Sequence, residues 1–262
     1  MPFSYSQLST YRTCPKQYEF ASIKKLPRQI SAGESFGSSI HNALAAFGKR
    51  EVESGKMKEE RAQLQLFTEP NTSQVSALSS QLLTDLWHQS FITEGYASKQ
   101  DADAARAKGE VIMKHFYAWW SQSPRDVITI ESGFKWESPD HFTVSGRFDR
   151  IEQLADGLHV IDFKTGSVRS QESVDSDLQL SIYALASEHL FQAPCTKLTL
   201  LFLQEDGIIE VSTSRSQEQL DTAMQEMNDL VTGIDTDVFD PTPSASVCGR
   251  CPYRGICDSA EV

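Results

Sequence analysis

The sequence predicts an α/β fold in which a helical N-terminal part precedes a sheet with helices around it. Helical apolar periodicity prevails up to about residue 121, and strand-like runs begin near residue 127. Between two such runs lies Asp156-Gly157, a strong short-range signal for a β-hairpin. With 262 residues, the chain is long enough to bury a full hydrophobic core.

The N-terminal part opens with two predicted short helices. Ser4 is a candidate N-cap, and Pro15 predicts a second helix starting just after Cys14. Residues 36–47 carry an apolar stripe typical of a helix, with His41 beside that stripe near the helix start.

In the rest of the chain the sequence predicts helices first, then strands, and then helices alternating with strands. Residues 51–73 are polar and predict a loop or a frayed helix. Helices are predicted near 75–93, 99–121, 173–191 and 217–231. Strands are predicted at 127–136, 142–155, 158–164, 197–203 and 208–213.

The predicted hairpin gathers charged residues on one face of the sheet. With 156–157 as the loop, Asp149 lies opposite Lys164, and Asp162 shares their face. The other face is expected to hold three apolar side chains, Phe148, Ile161 and Phe163. Buried charges are costly unless they are paired or bind metal, so this face needs a chemical explanation.

Two interpretations of the charged face remain open. In the first it is a Mg²⁺ or Mn²⁺ site, with carboxylates from Asp149 and Asp162 and an oxygen ligand from the Phe163 carbonyl. Lys164 would then orient a metal-bound water and offset charge on a phosphoryl transition state. In the second it is a surface hairpin with a cross-strand ion pair that contributes little.

Four more residues are candidates for the same site. Gln179 and Tyr183 are four residues apart on a predicted helix and therefore share a face. Either both form hydrogen bonds at the site, or Gln179 is solvated and Tyr183 packs in the core. His41 is a third metal ligand or a buried core histidine. Glu131 lies in the strand before the hairpin, where we expect an exposed residue rather than a ligand.

The charge distribution is uneven. The net charge of -12 argues against a nucleic-acid partner. However, residues 1–30 contain five basic residues against Glu19 alone, and 248–257 contain two arginines and no acid. A basic surface on an acidic body therefore stays open. No apolar run approaches the ~20 residues of a membrane span, and no signal peptide opens the chain, so we expect a cytoplasmic protein.

The five cysteines indicate a metal or cluster site. An odd number in such a chain argues against a disulfide framework. Cys248, Cys251 and Cys257 form C-x2-C-x5-C, and Cys14 is the best candidate for a fourth ligand. Cys195 reads as a small buried hydrophobe. On spacing alone, the four thiolates suit zinc and an iron–sulfur cluster equally well.

Together the motifs resemble the RecB-like branch of the PD-(D/E)XK nucleases. They occur in the order of that branch: Gly33-x3-Gly37-x3-His41, Gly146-Arg-Phe-Asp149-Arg, Asp162-Phe-Lys164-Thr and Gln179-Leu-x2-Tyr183. Cys14-Pro15 with the C-terminal cysteines resembles the iron–sulfur subgroup, which includes AddB-type helicase–nuclease subunits and CRISPR-associated RecB-like exonucleases. The resemblance covers about residues 4–47 and 131–257.

The resemblance implies a restriction-endonuclease-like core, a mixed sheet flanked by helices. This core is expected at 127–240, after an N-terminal helical region at 1–126 and before a cysteine-ligated cluster segment at 241–262. The metal ligands that it implies are His41, Asp149 and Asp162. Lys164 assists the nucleophilic water, and Gln179 and Tyr183 belong to the site.

The implied activity is that of a metal-dependent DNA nuclease, an exonuclease on single-stranded DNA or DNA ends. The resemblance favours a 4Fe-4S cluster over zinc, placed near the path of the DNA. Basic residues around the cluster would bind phosphates: Arg12, Lys16, Arg250 and Arg254. The nearby tyrosines would stack on bases or pack around the cluster: Tyr11, Tyr18 and Tyr253.

Two alternatives to the nuclease are kept. The chain is a non-catalytic DNA-end-binding subunit or adaptor in recombination, repair or CRISPR adaptation, or it is a zinc-stapled protein of unrelated function. A helicase or integrase partner fits the enzyme and the adaptor equally well. The oligomeric state stays open.

Overall fold

One mixed six-stranded sheet with helices on both faces forms the body of the protein. The computed structural model describes residues 2–64, 78–123 and 125–261, with the backbone alone for 55–64. The strands are β1 (Phe3–Ser4), β2 (Val127–Glu137), β3 (Thr143–Leu154), β4 (Gly157–Lys164), β5 (Cys195–Gln204) and β6 (Gly207–Thr213). This arrangement confirms the predicted restriction-endonuclease-like α/β fold.

The helices surround the sheet in chain order. Among the described residues they are α1 (Tyr5–Thr13), α2 (Pro15–Tyr18), α3 (Ala32–Leu64), α4 (Ser80–Ser90), α5 (Lys99–Trp120), α6 (Gln171–Asp175), α7 (Leu178–Phe191), α8 (Gln217–Asp235) and α9 (Ala245–Cys248). A π-helical turn, Glu19–Ile23, follows α2. Residues 51–64 continue α3, and the rest of the predicted 51–73 segment lies outside the described residues. No helix in the described ranges has the length and apolar character of a membrane span.

The strand order explains why the sheet is mixed. β2 runs antiparallel along one edge of β3, and β4 pairs antiparallel on its other edge. β5 is parallel to β4, to which the α6–α7 crossover connects it, and β6 closes the sheet antiparallel to β5. The two-residue strand β1, which the sequence did not predict, pairs parallel with the start of β3.

Each face of the sheet has its own hydrophobic core. On one face α1, α7 and α8 cover residues such as Val160 and Leu200. On the other, α3, α4 and α5 cover Ile161 and Leu201. Central strands buried on both sides read as continuous apolar runs, which explains the Leu198–Leu203 sequence. The N-terminal region thus packs on both faces, and the three-part domain division stays a prediction.

In the β3–β4 hairpin, the pairing register is shifted by two residues from the prediction. Leu154 pairs with Gly157, so the loop is Ala155-Asp156 rather than Asp156-Gly157. A side chain at Gly157 would collide with the Pro194 carbonyl, so a close approach of the chain favours glycine there. A shift of two leaves the faces of β4 unchanged.

The predicted helix at 173–191 is two helices in the structure. Asp177 interrupts it as the N-cap of α7, where its side chain accepts a hydrogen bond from the Leu180 amide at 2.9 Å. Ser4 is the N-cap of α1 and Pro15 starts α2, both as the sequence predicts, and the structure adds a capping box between Ser4 and Gln7.

Candidate metal centre and active site

β3 and β4 separate beside the predicted site. Their pairing ends at Arg150 and Ile161, and β1 pairs further along the same edge of β3. In between, the carboxylate of Asp149 takes the place of a backbone partner, since its Oδ2 accepts the Phe163 amide at 2.7 Å. We call this opening, bounded by residues 149 and 163, the fork.

The alternation of β3 changes at the fork. Phe148 and Ile151 both pack in the core under α7, although residues three apart in a regular strand face opposite sides. The prediction that Phe148 shares a face with Phe163 is therefore wrong. The Phe148 ring lies 5.3 Å from that of Tyr183, whereas the Phe163 ring lies 5.7 Å from that of Phe116 in the other core.

Three ligand-type side chains converge at the fork. His41 from α3, Glu131 from β2 and Asp149 from β3 each offer one atom within 4.8 Å of the others, a set not repeated in the described part of the chain. His41 Nδ1 lies 3.2 Å from Asp149 Oδ1 and 3.9 Å from Glu131 Oε1. With metal–ligand distances of about 2.0–2.1 Å, such a set is compact enough to share one Mg²⁺.

Glu131 is the residue that sequence reasoning set aside. Its side chain is 11% exposed, so the expectation of an exposed strand residue is wrong. A positive φ of 49° puts its backbone in a conformation rare for glutamate, as often occurs at functional sites. The register that pairs Ser132 with Phe148 places Glu131 beside Asp149, and knowledge of this β2–β3 register would have revealed it.

A second group of side chains surrounds Asp162 on the α7 side. Asp162 Oδ1 lies within hydrogen-bond distance of Gln179 Nε2 at 3.1 Å and of the Tyr183 hydroxyl at 3.2 Å. Lys164 Nζ donates to Gln179 Oε1 at 2.9 Å and lies 2.5 Å from Asp162 Oδ2. Gln179 and Tyr183 therefore share a face, as their spacing predicts, and orient Asp162 and Lys164.

One oxygen of Asp162 has a single partner among the described residues. The Lys164 ammonium forms an ion pair with Oδ2 at 2.5 Å, and no other described group donates to that oxygen. Burial raises the pKa of Asp162, Lys164 opposes this, and Asp149 raises the pKa further. A buried carboxylate in this condition fits a bound cation, which would stabilise its charge.

The basic groups at the site are protonated. Burial acts to lower the pKa of His41, but the hydrogen bond and charge of Asp149 outweigh it and raise that pKa to about 9. Burial likewise acts to lower the pKa of Lys164, and Asp162 reverses the direction, so the pKa is raised. The site thus holds at least one fixed positive charge, on Lys164.

The four predicted cluster cysteines line one cavity where the chain ends meet: Cys14, Cys248, Cys251 and Cys257. Burial acts to raise the pKa of Cys14, but backbone hydrogen bonds, that of Thr242 foremost, outweigh it and lower the pKa. Burial and the neighbouring cysteines raise the pKa of Cys251. Cys195 lies apart in β5, where burial raises its pKa to about 11, as suits a core hydrophobe.

The aromatic and basic residues near the cysteines divide into two groups. Tyr11, Tyr18 and Tyr253 are 7%, 4% and 4% exposed, so they pack rather than offer surfaces for bases. Edge-to-face contacts join Tyr11 to Tyr18 and Phe20 to Tyr253. Among the predicted phosphate-binding residues, Arg12 is paired with Glu226 and Lys16 with Glu19, whereas Arg250 and Arg254 are exposed.

Comparison with known proteins agrees with this architecture. The solved structures include a protein of Eubacterium rectale provisionally described as an exonuclease, with a TM-score of 0.53, 11% identity, and coverage of 100% of this chain and 91% of that one. SSO0001 matches at a TM-score of 0.40 and 15% identity, covering 98% of this chain and 96% of the other. No curated protein matches. A profile of the PD-(D/E)XK nuclease superfamily matches residues 2–258, and the chain therefore belongs to that superfamily.

Proposed function

We propose that the protein is a Mg²⁺- or Mn²⁺-dependent deoxyribonuclease that hydrolyses phosphodiester bonds at the fork. The observation that carries this proposal is the convergence of His41, Glu131 and Asp149 beside the buried Asp162 carboxylate. Carboxylates and an imidazole form a donor set that suits Mn²⁺, and the oxygen ligands suit Mg²⁺.

The metal-binding residues in this proposal are His41, Asp149 and Asp162, with the carbonyl of Phe163. The N–H and C=O of one residue in a strand point to the same edge, so the Phe163 carbonyl lies on the side of Asp149. Glu131 joins the set because it lies within reach of His41. When bound, the cation would lower the pKa of a water molecule and stabilise charge on the scissile phosphate.

The remaining residues orient the nucleophilic water, stabilise charge on the phosphate and hold the other site residues in place. The Lys164 ammonium, held by Gln179 and Asp162, orients the nucleophilic water and offsets negative charge that develops on the phosphate. The Tyr183 hydroxyl, within hydrogen-bond distance of the Arg147 carbonyl at 3.0 Å and of Asp162, ties α7 to both branches of the fork. We assign Gln179 and Tyr183 as positioning residues.

Single-stranded DNA or DNA ends are the proposed substrate, and exonucleolytic cleavage is the proposed mode. Two observations favour this choice. Residues 1–30 and 248–257 carry more basic than acidic side chains, whereas the chain as a whole is acidic. The Eubacterium rectale relative, whose fold this chain shares, is provisionally described as an exonuclease. A helicase or integrase partner and a cytoplasmic location belong to the same proposal.

We further propose a 4Fe-4S cluster at the four cysteines. The four cysteines line one cavity where the chain ends meet, which suits a group bound by four thiolates. The resemblance of Cys14-Pro15 and C-x2-C-x5-C to the iron–sulfur subgroup favours the cluster over zinc. The role of the cluster would be to hold the two chain ends together.

The test is digestion of DNA labelled at either end, single- or double-stranded, with Mn²⁺, with Mg²⁺ and with EDTA. A nuclease shortens the DNA from an end in a metal-dependent way, and the labels report polarity. The alternative, a non-catalytic DNA-end-binding adaptor, predicts binding to the same DNA without cleavage under every metal condition. That outcome would refute the proposed activity.

A further inference from the structure

A polar groove of about 690 Å³ lies between α1, the 24–31 loop and the cysteine segment. Its lining includes side chains with hydrogen-bond donors: Ser6, Gln17, Gln29, Arg28 and Arg250, besides Thr10, whose hydroxyl donates to the Ser6 carbonyl. The single lining carboxylate, Glu34, is neutralised by Arg28 at 2.6 Å. The groove therefore carries a net positive charge on a protein whose overall charge is -12.

The groove lies at the N-terminal end of α3, the helix that carries His41. Its inner wall includes Ser31 and Glu34, at the start of the helix whose His41 lies two turns further on the same face. At about 1.5 Å rise per residue, this separation is about 10 Å. Between them, Gly37 passes close to Thr165, the residue after Lys164, where a Cβ would be 3.3 Å from Oγ1.

We infer that this groove binds the sugar-phosphate backbone of a single DNA strand on its way to the fork. Uncharged amide and hydroxyl donors with a few arginines are the groups that contact phosphates without reading sequence. The tyrosines nearby are buried, so stacking on bases contributes nothing here. The inference rests on the proposed nuclease function, for which it supplies the substrate path.

The test compares groove variants with a matched charge change elsewhere. The groove variants are Arg250→Glu and Gln29→Glu. The control is Lys108→Glu on α5, which replaces a positive by a negative charge as Arg250→Glu does; Lys108 pairs with Glu205. Binding of oligothymidylates of about 4 and about 16 nucleotides is measured by fluorescence anisotropy; these lengths span the site sizes typical of single-strand binding. The buffer contains EDTA so that cleavage is blocked. Iron and zinc content is measured for each variant, and Gln29→Glu lies away from the cysteines.

We expect both groove variants to weaken binding of the longer strand about tenfold, with little effect on the shorter one. Removal of a phosphate contact also lowers the salt slope of binding by about one unit. Wild-type affinity for the longer strand in both groove variants, or a loss no greater than in Lys108→Glu, would overturn the groove assignment. Metal-dependent cleavage by the same preparations is scored separately, so failure of the groove leaves the nuclease proposal standing.

Discussion

The Phe163 amide of β4 donates to the Asp149 carboxylate of β3 at 2.7 Å, at the point where the backbone ladder between the two strands has ended. A side chain thus replaces a main-chain acceptor, which satisfies the amide and holds the carboxylate in the opening. The other Asp149 oxygen is left to face His41 at 3.2 Å. The fork therefore explains how a buried sheet presents a metal-ligand set.

Metal affinity should depend on pH through His41. Its pKa in the metal-free protein is raised from 6.5 to about 9, so below pH 9 a cation must displace the ring proton. Mn²⁺ binding, measured by titration calorimetry, should tighten by up to about tenfold per pH unit between pH 6.5 and 9. His41→Asn should bind more weakly with a flatter pH dependence. An equally steep dependence in that variant would exclude His41 as the titrating group.

Arg150 should act as a positioning residue for His41. It follows Asp149 in β3, and its guanidinium binds Glu51 of α3 at 2.7 and 3.0 Å. Arg150→Met would remove the ion-pair partner of Glu51 and one of the three basic partners of Glu152, at a cost of about 3–5 kcal/mol of unfolding free energy. Because α3 also carries His41, Mn²⁺ affinity should fall by about tenfold or more.

The control for Arg150 is Met227→Ala, a cavity in the α8 core away from the fork. Its stability loss should be similar, about 2–5 kcal/mol, with Mn²⁺ affinity unchanged. Glu51→Gln tests the same contact from the helix side. If Met227→Ala and Arg150→Met weaken metal binding equally, Arg150 has a structural role alone.

Acid stability should depend on Glu152. Burial acts to raise its pKa, but His159, Arg150 and Arg125 outweigh it and lower the pKa from 4.5 to about 2. A depressed pKa contributes stability above pH 4.5 that is lost as pH falls toward 2. In urea unfolding across this range, the free energy of unfolding of Glu152→Gln should fall less steeply with decreasing pH than that of wild type. The variant Glu172→Gln, at an exposed residue, should show the wild-type pH dependence. A wild-type pH dependence in Glu152→Gln would contradict the assignment.

The cysteine site should respond to Cys14 and not to Cys195. Cys14 lines the shared cavity, whereas Cys195 is buried in β5. After anaerobic purification, Cys14→Ser should lose iron and visible absorbance and melt at a lower temperature because the chain ends are no longer joined. Cys195→Ser should retain both. Wild-type iron content in Cys14→Ser, or stoichiometric zinc in a colourless wild type, would refute the cluster proposal.

The sequence predicts the fold because its local patterns agree with the tertiary structure. Strands β2–β6, the cap at Ser4 and the i, i+4 pair of Gln179 and Tyr183 follow from local sequence patterns. The meeting of His41 with Asp149, 108 residues apart in sequence, was expected through family resemblance, since no local pattern specifies it.

The arrangement of the strands and side chains at the fork could not be predicted from the sequence, for a physical reason. β1 is two residues long and has no pattern of its own, yet it occupies the edge of β3 that β4 has left. The alternation of β3 changes in the stretch between these two partners, where Phe148 packs in the core opposite to that of Phe163. The sequence carries no local signal for the burial of Glu131, whose positive φ also departs from regular strand geometry.

Single-turnover cleavage by Asp162→Asn tests the central claim most directly. Asp162 is 2% exposed and its substitution by an isosteric amide preserves the contacts to α7, so DNA affinity in EDTA should stay near that of wild type. With Mn²⁺, the account predicts a loss of cleavage rate of about a thousandfold or more. Asp206→Asn, in the β5–β6 turn, should cleave normally. An Asp162→Asn preparation that cleaves DNA at the wild-type rate would contradict the assignment of the fork as a metal-dependent nuclease site.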